Sequence, residues 1–416
     1  MLRSQTQSRF KTWLMPWQGI DSWLLILPAA LTVLGGIMIR STELTRTITE
    51  WWQHWLIGGI GLGIALLIAS CRYEKLLDWH WVTYGITNFL LILVLIIGKT
   101  VNGAQSWITF GGFNIQPSEF AKLGLIITLA AILHKHSART IPDVVRVLAI
   151  AAVPWFLVFI QPDLGTSLVF GAITLSMLYW ANANPGWLLL LVSPLVSVIL
   201  FSAYFPGWIV WAGIIIFIAG RTLPWPLYGM GGALAINVIA GELGHIVWGL
   251  LKTYQRNRLI SFFNPEIDPQ GSGYHIIQSR IAIGAGQLWG RGLNQGTQTQ
   301  LHFIPEQHTD FIFSAIGEEL GFAGCIFVLI AFWIICLRLV MIATTAKDDF
   351  GALLAIGFLS LIVFQVTINI GMTIGLAPVT GIPLPWLSYG RSALLKNFLA
   401  LGLIVSVANH RPRKRY

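Results

Sequence analysis

"LAIAAVPWFLVFIQPDLGTSLVFGAITLSMLYW" (residues 148–180) consists of two oily runs joined by a short polar turn, QPDLGTS (161–167). A helix that spans a bilayer needs about 20 mostly apolar residues, and the runs at 143–160 and 164–182 come close to that length. Pro162 and Asp163 fall between them, so the chain crosses a membrane, turns tightly and crosses back. Working outward, further runs of this kind lie near 22–39, 55–70, 81–97, 118–134, 186–204, 207–220, 226–250, 310–340, 351–374 and 388–408. The 207–220 run is short enough to be a re-entrant or interfacial segment.

Composition agrees with the runs. Of the 416 residues 55% are hydrophobic and 10% charged, against roughly 25% charged in a soluble domain. The expected fold is therefore an all-α polytopic membrane protein, a single domain over 1–416. No cleavable signal peptide is legible near Met1, which is followed by a basic, Trp- and Pro-bearing stretch. Cys71, Cys325 and Cys336 are scattered, without disulfide or metal spacing, and read as packing residues. The net charge of +9 has to sit in loops and tails, and a membrane surface rather than nucleic acid is the expected partner.

Basic residues set the orientation. Arg3, Arg9 and Lys11 precede the first run, and Arg411, Arg413, Lys414 and Arg415 follow the last, so both ends are expected in the cytoplasm. Counting back three spans from the C-terminus puts residues 252–308 outside, provided that 310–340 is one helix. That large loop carries Lys252, Arg256, Arg258, Arg280 and Arg291, against the positive-inside tendency. Cations kept there either bind an anion or meet lipid headgroups.

Inside the loop, FFNPEIDPQGSGYH (262–275) sets Asp268 between Pro265 and Pro269, followed by Gly271 and Gly273, on a rigid and exposed turn. Such a position suits a catalytic group, and equally an aspartate that only caps a turn. Next, GYHIIQSRIAIGAGQLWGRG (273–292) places Ile277 and Ile281 on one helical face and Gln278 and Arg280 on another, as in an interfacial helix. LHFIPEQHTDFIF (301–313) then gathers Glu306, His308 and Asp310. These form a candidate divalent-cation site, with capping by Thr309 or Asp310 as the plainer role. In NGAQSWITFGGFNIQPSEFAKLGL (102–125), Pro117-Ser118 opens a helix whose Glu119 and Lys122 share a face. Charged groups at membrane depth mark a site or a pathway, and these two also make an internal salt pair. GLAPVTGIPLPWLSYGRSALL (375–395) is so rich in breakers that irregular backbone lining a cavity is expected.

Read together, NGAQSWI, PSEFAKL, QPDLGTS, YQRNRL, NPEIDPQGSGYHIIQS, PEQHTDFIFSAIGEELG and GLAPVTGIPLPWLSYG resemble, in family order, the SEDS glycan polymerases (shape, elongation, division and sporulation). GTQTQLHFIPEQHTDFIF looks more like the elongation (RodA) type than the division (FtsW) type. The resemblance implies about ten core transmembrane helices and a peptidoglycan glycosyltransferase that joins lipid II disaccharides outside the cytoplasmic membrane. It implies a class B penicillin-binding protein transpeptidase as partner and a divalent cation, Mg2+ or Mn2+, as cofactor. The family's functional aspartate falls on Asp268 and its Glu–Lys pair on Glu119 and Lys122. Arg256, Arg258, Arg280, Ser272, Gln278, Glu306, His308, Asp310 and Arg391 are the further candidates for substrate binding.

The sequence departs from the family twice. SYGRSAL has Arg391 where a glycine is usual and Ala393 where a serine is usual, and an arginine facing the cavity suits phosphate. Residues 207–250 are a probable two-segment insertion, an even number that leaves the loop outside. The rival reading is a flippase for a lipid-linked precursor, which would need charged groups near the midplane, open to both sides. A division-type polymerase and an inactive scaffold are the others.

Overall fold

The computed structural model describes residues 21–44, 50–101, 104–110, 113–250 and 272–411. Its elements are α1 (Ser22–Thr42), α2 (Trp51–Ser70), α3 (Lys75–Ile97), strands β1 (Lys99–Val101), β2 (Ala104–Phe110) and β3 (Phe113–Ile115), α4 (Pro117–Lys135), α5 (Ile141–Ile160), α6 (Leu164–Trp180), α7 (Pro185–Ala203), α8 (Phe205–Thr222), α9 (Pro226–Leu250), α10 (Ser272–Ala285), α11 (Thr297–Gln300), α12 (Ile312–Thr345), α13 (Asp349–Ile374) and α14 (Arg391–Asn409). Among the described residues, ten helices are long and apolar enough to cross a bilayer. The shorter apolar helices Leu164–Trp180 and Pro185–Phe201 bring the count to the twelve runs read from sequence. The 207–220 run lies within α8, whose 18 residues give it the length of the spanning helices rather than of a re-entrant stub.

Helix α4 is the axis. Pro117, Ser118, Glu119 and every residue from Ala121 to Leu133 are buried, because α3, α5, α6, α13 and α14 pack around it. A helix that is apolar all round belongs in such a place. Between spanning helices the attraction comes from close van der Waals packing, which small residues permit. On α14, Gly402 lies so close to α2 that an added Cβ would come within 2.8 Å of Ala65 Cα.

The all-α polytopic reading holds, with one addition and two refinements. The addition is that β1, β2 and β3 form a small antiparallel sheet with Lys99 opposite Trp107 and Ile108 opposite Ile115. Asn102-Gly103 and Gly111-Gly112 divide the segment into hairpin-sized pieces, a signal that a search for apolar runs passes over. Residues 252–308 are not a free loop throughout, because α10 is built into the bundle against α12 and α13. Its packed edge carries Ile276, Ser279 and Ala282, whereas Ile281 is exposed, so the face nearest the bundle is not the Ile277–Ile281 face. Ser279 explains the choice: its hydroxyl lies 2.6 Å from Ser314 Oγ and 2.6 Å from Thr373 O.

The second refinement concerns 310–340, which is one span, α12, but is kinked. Gly321 has φ 66° and ψ −165°, which breaks α12 near its start. A Cβ at Gly321 would collide with the backbone nitrogen of Gly290. The break is filled by backbone bonds from Phe322 N to Gln287 O (2.8 Å) and Ala323 N to Leu288 O (3.1 Å). The chain therefore exchanges helical hydrogen bonds for loop ones at this point. The expected caps also differ: the N-cap of α12 is Phe311, with no side-chain cap, and Thr309 Oγ1 turns to Glu306 instead (3.1 Å).

Candidate functional site

The ends of α3, α5 and α13, the starts of α4, α6 and α14, and the 286–311 segment meet at the end of the bundle that carries the sheet. Gln116 N, just before α4, donates to Ser392 Oγ on α14 (3.1 Å), and Tyr389 N donates to His308 O (2.9 Å). Residues 375–390 are irregular yet sunken, with Trp386 and Leu387 at 1% and 0% exposure. This is the buried, irregular backbone expected from the breakers, and it is tolerated because protein surrounds it. Asn369 holds it down, donating to Ile382 O (2.7 Å) and to Asp310 O (2.8 Å).

Below this cap lies the charge centre. Pro117 at the first turn of α4 puts Glu119 and Lys122 one turn apart. Lys122 Nζ lies 2.6 Å from Glu119 Oε1, and a second lysine, Lys396 of α14, lies 3.2 Å from Glu119 Oε2. Lys396 also reaches Gln365 Oε1 of α13 (3.4 Å). All three charged groups are at most 2% exposed. One carboxylate thus joins three helices through two cations, an arrangement stable in a low dielectric only while every partner is present.

Asp163 adjoins this centre. It caps α6, accepting from Thr166 N (3.0 Å), and Gln116 Nε2 lies 3.4 Å away. Burial pushes its carboxyl above the usual aspartate range; the Thr166 bonds and Lys122 pull it down, and Glu119 raises it. The turn read from sequence is therefore present, and it sits against the Glu119 network.

The other candidates are placed as follows. His308 is buried, its ring 6.0 Å from that of Tyr389. Burial pushes its imidazole below the usual histidine value, so it is neutral near pH 7 and supplies no positive charge. Arg391 opens α14 and its Nε lies 3.3 Å from Tyr389 Oη, which itself reaches Gln53 (3.4 Å). His308, Tyr389 and Arg391 thus form one group. Glu306 is exposed and bonded to Thr309, Gln278 is half-buried, and Arg280 is exposed beside Gly375. Asp268, Arg256 and Arg258 lie outside the described residues, as does the side chain of Ser272.

No three His, Cys, Asp or Glu groups converge to hold a metal among the described residues, so Glu306, His308 and Asp310 do not make the cation cage their spacing suggested. Glu306 is exposed and bonded to Thr309, whereas His308 is buried against the Tyr389 ring.

Sequence reading missed Lys396, although a lysine inside an apolar run was itself a signal. It also missed the carboxylates of GEELG. Glu318, fully buried, accepts from Gln298 N (2.8 Å), Thr299 N (2.9 Å) and Thr299 Oγ1 (2.6 Å), anchoring α11. Glu319 takes the Ser41 hydroxyl at 2.5 Å and so ties α12 to α1.

A family model described as "Cell cycle protein" (FtsW, RodA, SpoVE) matches residues 22–211 and 205–413. The chain is 34% identical to the peptidoglycan glycosyltransferase RodA of Treponema pallidum, over 93% of this chain and 97% of that one. It is 33% identical to the peptidoglycan glycosyltransferase MrdB of Escherichia coli K12, over 94% of each. A solved structure described as "Structural coordination of polymerization and crosslinking by a peptidoglycan synthase complex" contains a chain that superposes with a TM-score of 0.70 at 29% identity, covering 94% of this chain and 98% of that one.

Proposed function

This chain belongs to the FtsW/RodA/SpoVE family and is a peptidoglycan glycosyltransferase, and on that premise we propose that it polymerises glycan strands from lipid II on the outer face of the bacterial cytoplasmic membrane, in cell elongation and shape maintenance. The observation that carries the reading is the convergence of six helix ends, the sheet and two irregular segments above a buried Glu119–Lys122–Lys396 centre at one end of the bundle. A transporter would place such a centre near the midplane; Glu119 and Lys122 lie within the first two turns of α4.

In the proposed reaction the 4-hydroxyl of the acceptor GlcNAc attacks the anomeric carbon of the donor MurNAc. A β-1,4 bond forms with inversion, and the bond to the α-linked polyprenyl pyrophosphate breaks. A hydroxyl is a weak nucleophile at neutral pH, so a carboxylate within hydrogen-bond reach takes its proton. Asp268 has that role in this proposal. It falls in residues 251–271, which follow α9 and precede α10 in the chain. Arg256, Arg258, Arg280 and Arg391 are proposed to meet the leaving pyrophosphate.

Lys122, at 1% exposure, serves in this proposal as a buried fixed charge rather than as a direct ligand. Mg2+ or Mn2+ is proposed to be held by pyrophosphate oxygens, as suits an ion that favours phosphates over an all-protein cage. The partner proposed is a class B penicillin-binding protein that crosslinks the product.

Purified protein given labelled lipid II tests the reading. Long glycan chains are expected from the native chain, and none from Asp268→Asn, with folding and partner binding unchanged. Chains made at the native rate by that variant would remove the base, and no chains from the native protein with its partner would end the proposal.

A further inference from the structure

Helices α7, α8 and α9 form a satellite beside the main bundle. They have an apolar core of their own, Ile215, Ala219 and Ala233. They are joined by Asn237, which donates to Ser193 Oγ (3.1 Å) and accepts from Ser197 Oγ (2.6 Å). The satellite meets the rest of the protein through the packing of α7 on α6. At the end of that seam remote from the sheet, a cleft of about 770 Å3 opens, lined by Arg139, Tyr179, Trp180, Asn182, Asn184 and Trp187 among others.

The walls of the cleft are fixed. Ala138 N donates to Ala181 O (3.0 Å), which brings the α4–α5 connection and Arg139 to the α6–α7 turn. Trp187 Nε1 donates to Thr222 O (3.0 Å). The lining holds one cation, two amides and three aromatic rings, and no carboxylate. Arg139 is exposed and has no ion-pair partner among the described residues; the nearest acid in sequence, Asp143, is held by Thr140 and Arg146. Exposed Lys135 closes α4 at the same end and adds to the positive field.

Position then selects the ligand. A groove between two spanning helices faces acyl chains along its length, and its mouth at the helix ends lies in the headgroup layer, where Trp, Tyr and Arg are favoured. Tyr179 (62% exposed) and Leu189 (36%) border the seam as lipid-facing surface. An unpaired guanidinium beside two amides matches a phosphodiester, which it binds through paired N–H donors. We propose that this cleft binds one anionic phospholipid. Arg139 takes its phosphate, Asn182 and Asn184 bond the headgroup oxygens, and the acyl chains run down the α6–α7 seam. The lipid seals the satellite to the bundle.

The test uses the full chain, stripped of lipid in a neutral detergent, with thermal unfolding and native mass spectrometry as readouts. Phosphatidylglycerol is expected to raise the unfolding midpoint and leave one retained lipid, with phosphatidylcholine doing neither. Arg139→Glu is expected to weaken phosphatidylglycerol about tenfold or more, the loss of one charge-assisted contact. Arg146→Glu changes the net charge equally outside the cleft and should leave binding as it was. Equal weakening in both variants would reduce the effect to general surface attraction. An equal midpoint rise with glycerol 3-phosphate would mark a soluble-anion site, and no rise in the native chain would mean no site; each of these overturns the proposal.

Discussion

Glu119→Gln is the most informative perturbation of the buried centre. Glu119 alone bridges Lys122 (2.6 Å) and Lys396 (3.2 Å), and all three are sealed from solvent. With the carboxylate gone, Lys122 keeps the field of Asp163, while Lys396 keeps only the weak dipole of Gln365 at 3.4 Å. One buried ammonium is therefore left uncompensated, which costs about 3–5 kcal/mol. Lys396→Met instead removes a cation and leaves the tight Glu119–Lys122 pair, so it should cost less. The double variant Glu119→Gln/Lys396→Met removes the stranded charge, and roughly 0.5–3 kcal/mol of the loss should return as a coupling energy. Reversible unfolding in detergent, followed by tryptophan fluorescence, measures all four corners of the cycle. Native-like stability of Glu119→Gln, or strict additivity of the two changes, would show that the network does not hold α4, α13 and α14 together as argued.

Three other expectations concern the surroundings of that centre. Burial raises the Asp163 carboxyl above its unfolded value, so its protonated form favours the fold and that contribution is lost as pH rises through the folded value; Asp163→Asn keeps a capping side chain and should flatten the pH dependence, raising the midpoint at pH 7, and a lowered midpoint there would refute this. Glu318→Ala strands the N–H groups of Gln298 and Thr299, at about 1–3 kcal/mol for each buried donor; hydrogen exchange should accelerate over 297–300 and not in α13, and unchanged protection would refute it. Gly321→Ala combines φ 66° with a collision at Gly290 and should cost at least about 1–3 kcal/mol, with a proteolytic cut appearing in 286–296; native stability and resistance would mean the break tolerates a side chain.

Much of the architecture was legible because hydropathy is local. A run of twenty oily residues has few alternatives, so the twelve helices and the Pro117 start of α4 could be read directly. The break at Gly321 could not, because nothing in GEELGFAG says whether Gly321 continues a helix or adopts positive φ; its partners are Gln287 and Leu288, over thirty residues earlier. Likewise the Glu119–Lys122 pair follows from spacing of three on one helix. Lys396 is 277 positions from Glu119 and meets it only because α14 packs against α4.

The amino-acid order by itself determined which segments are helical and membrane-sized, where charge is concentrated, and the motif series that carries family membership. Only the tertiary structure decided which charges meet. It put a second lysine on Glu119, kept Glu306, His308 and Asp310 from forming a cation cage, and opened a cleft beside Arg139. The physical reason is range. Apolar length and helix spacing act over a few turns, whereas the partner of a buried charge is chosen by whichever distant helix can approach closely enough to neutralise it.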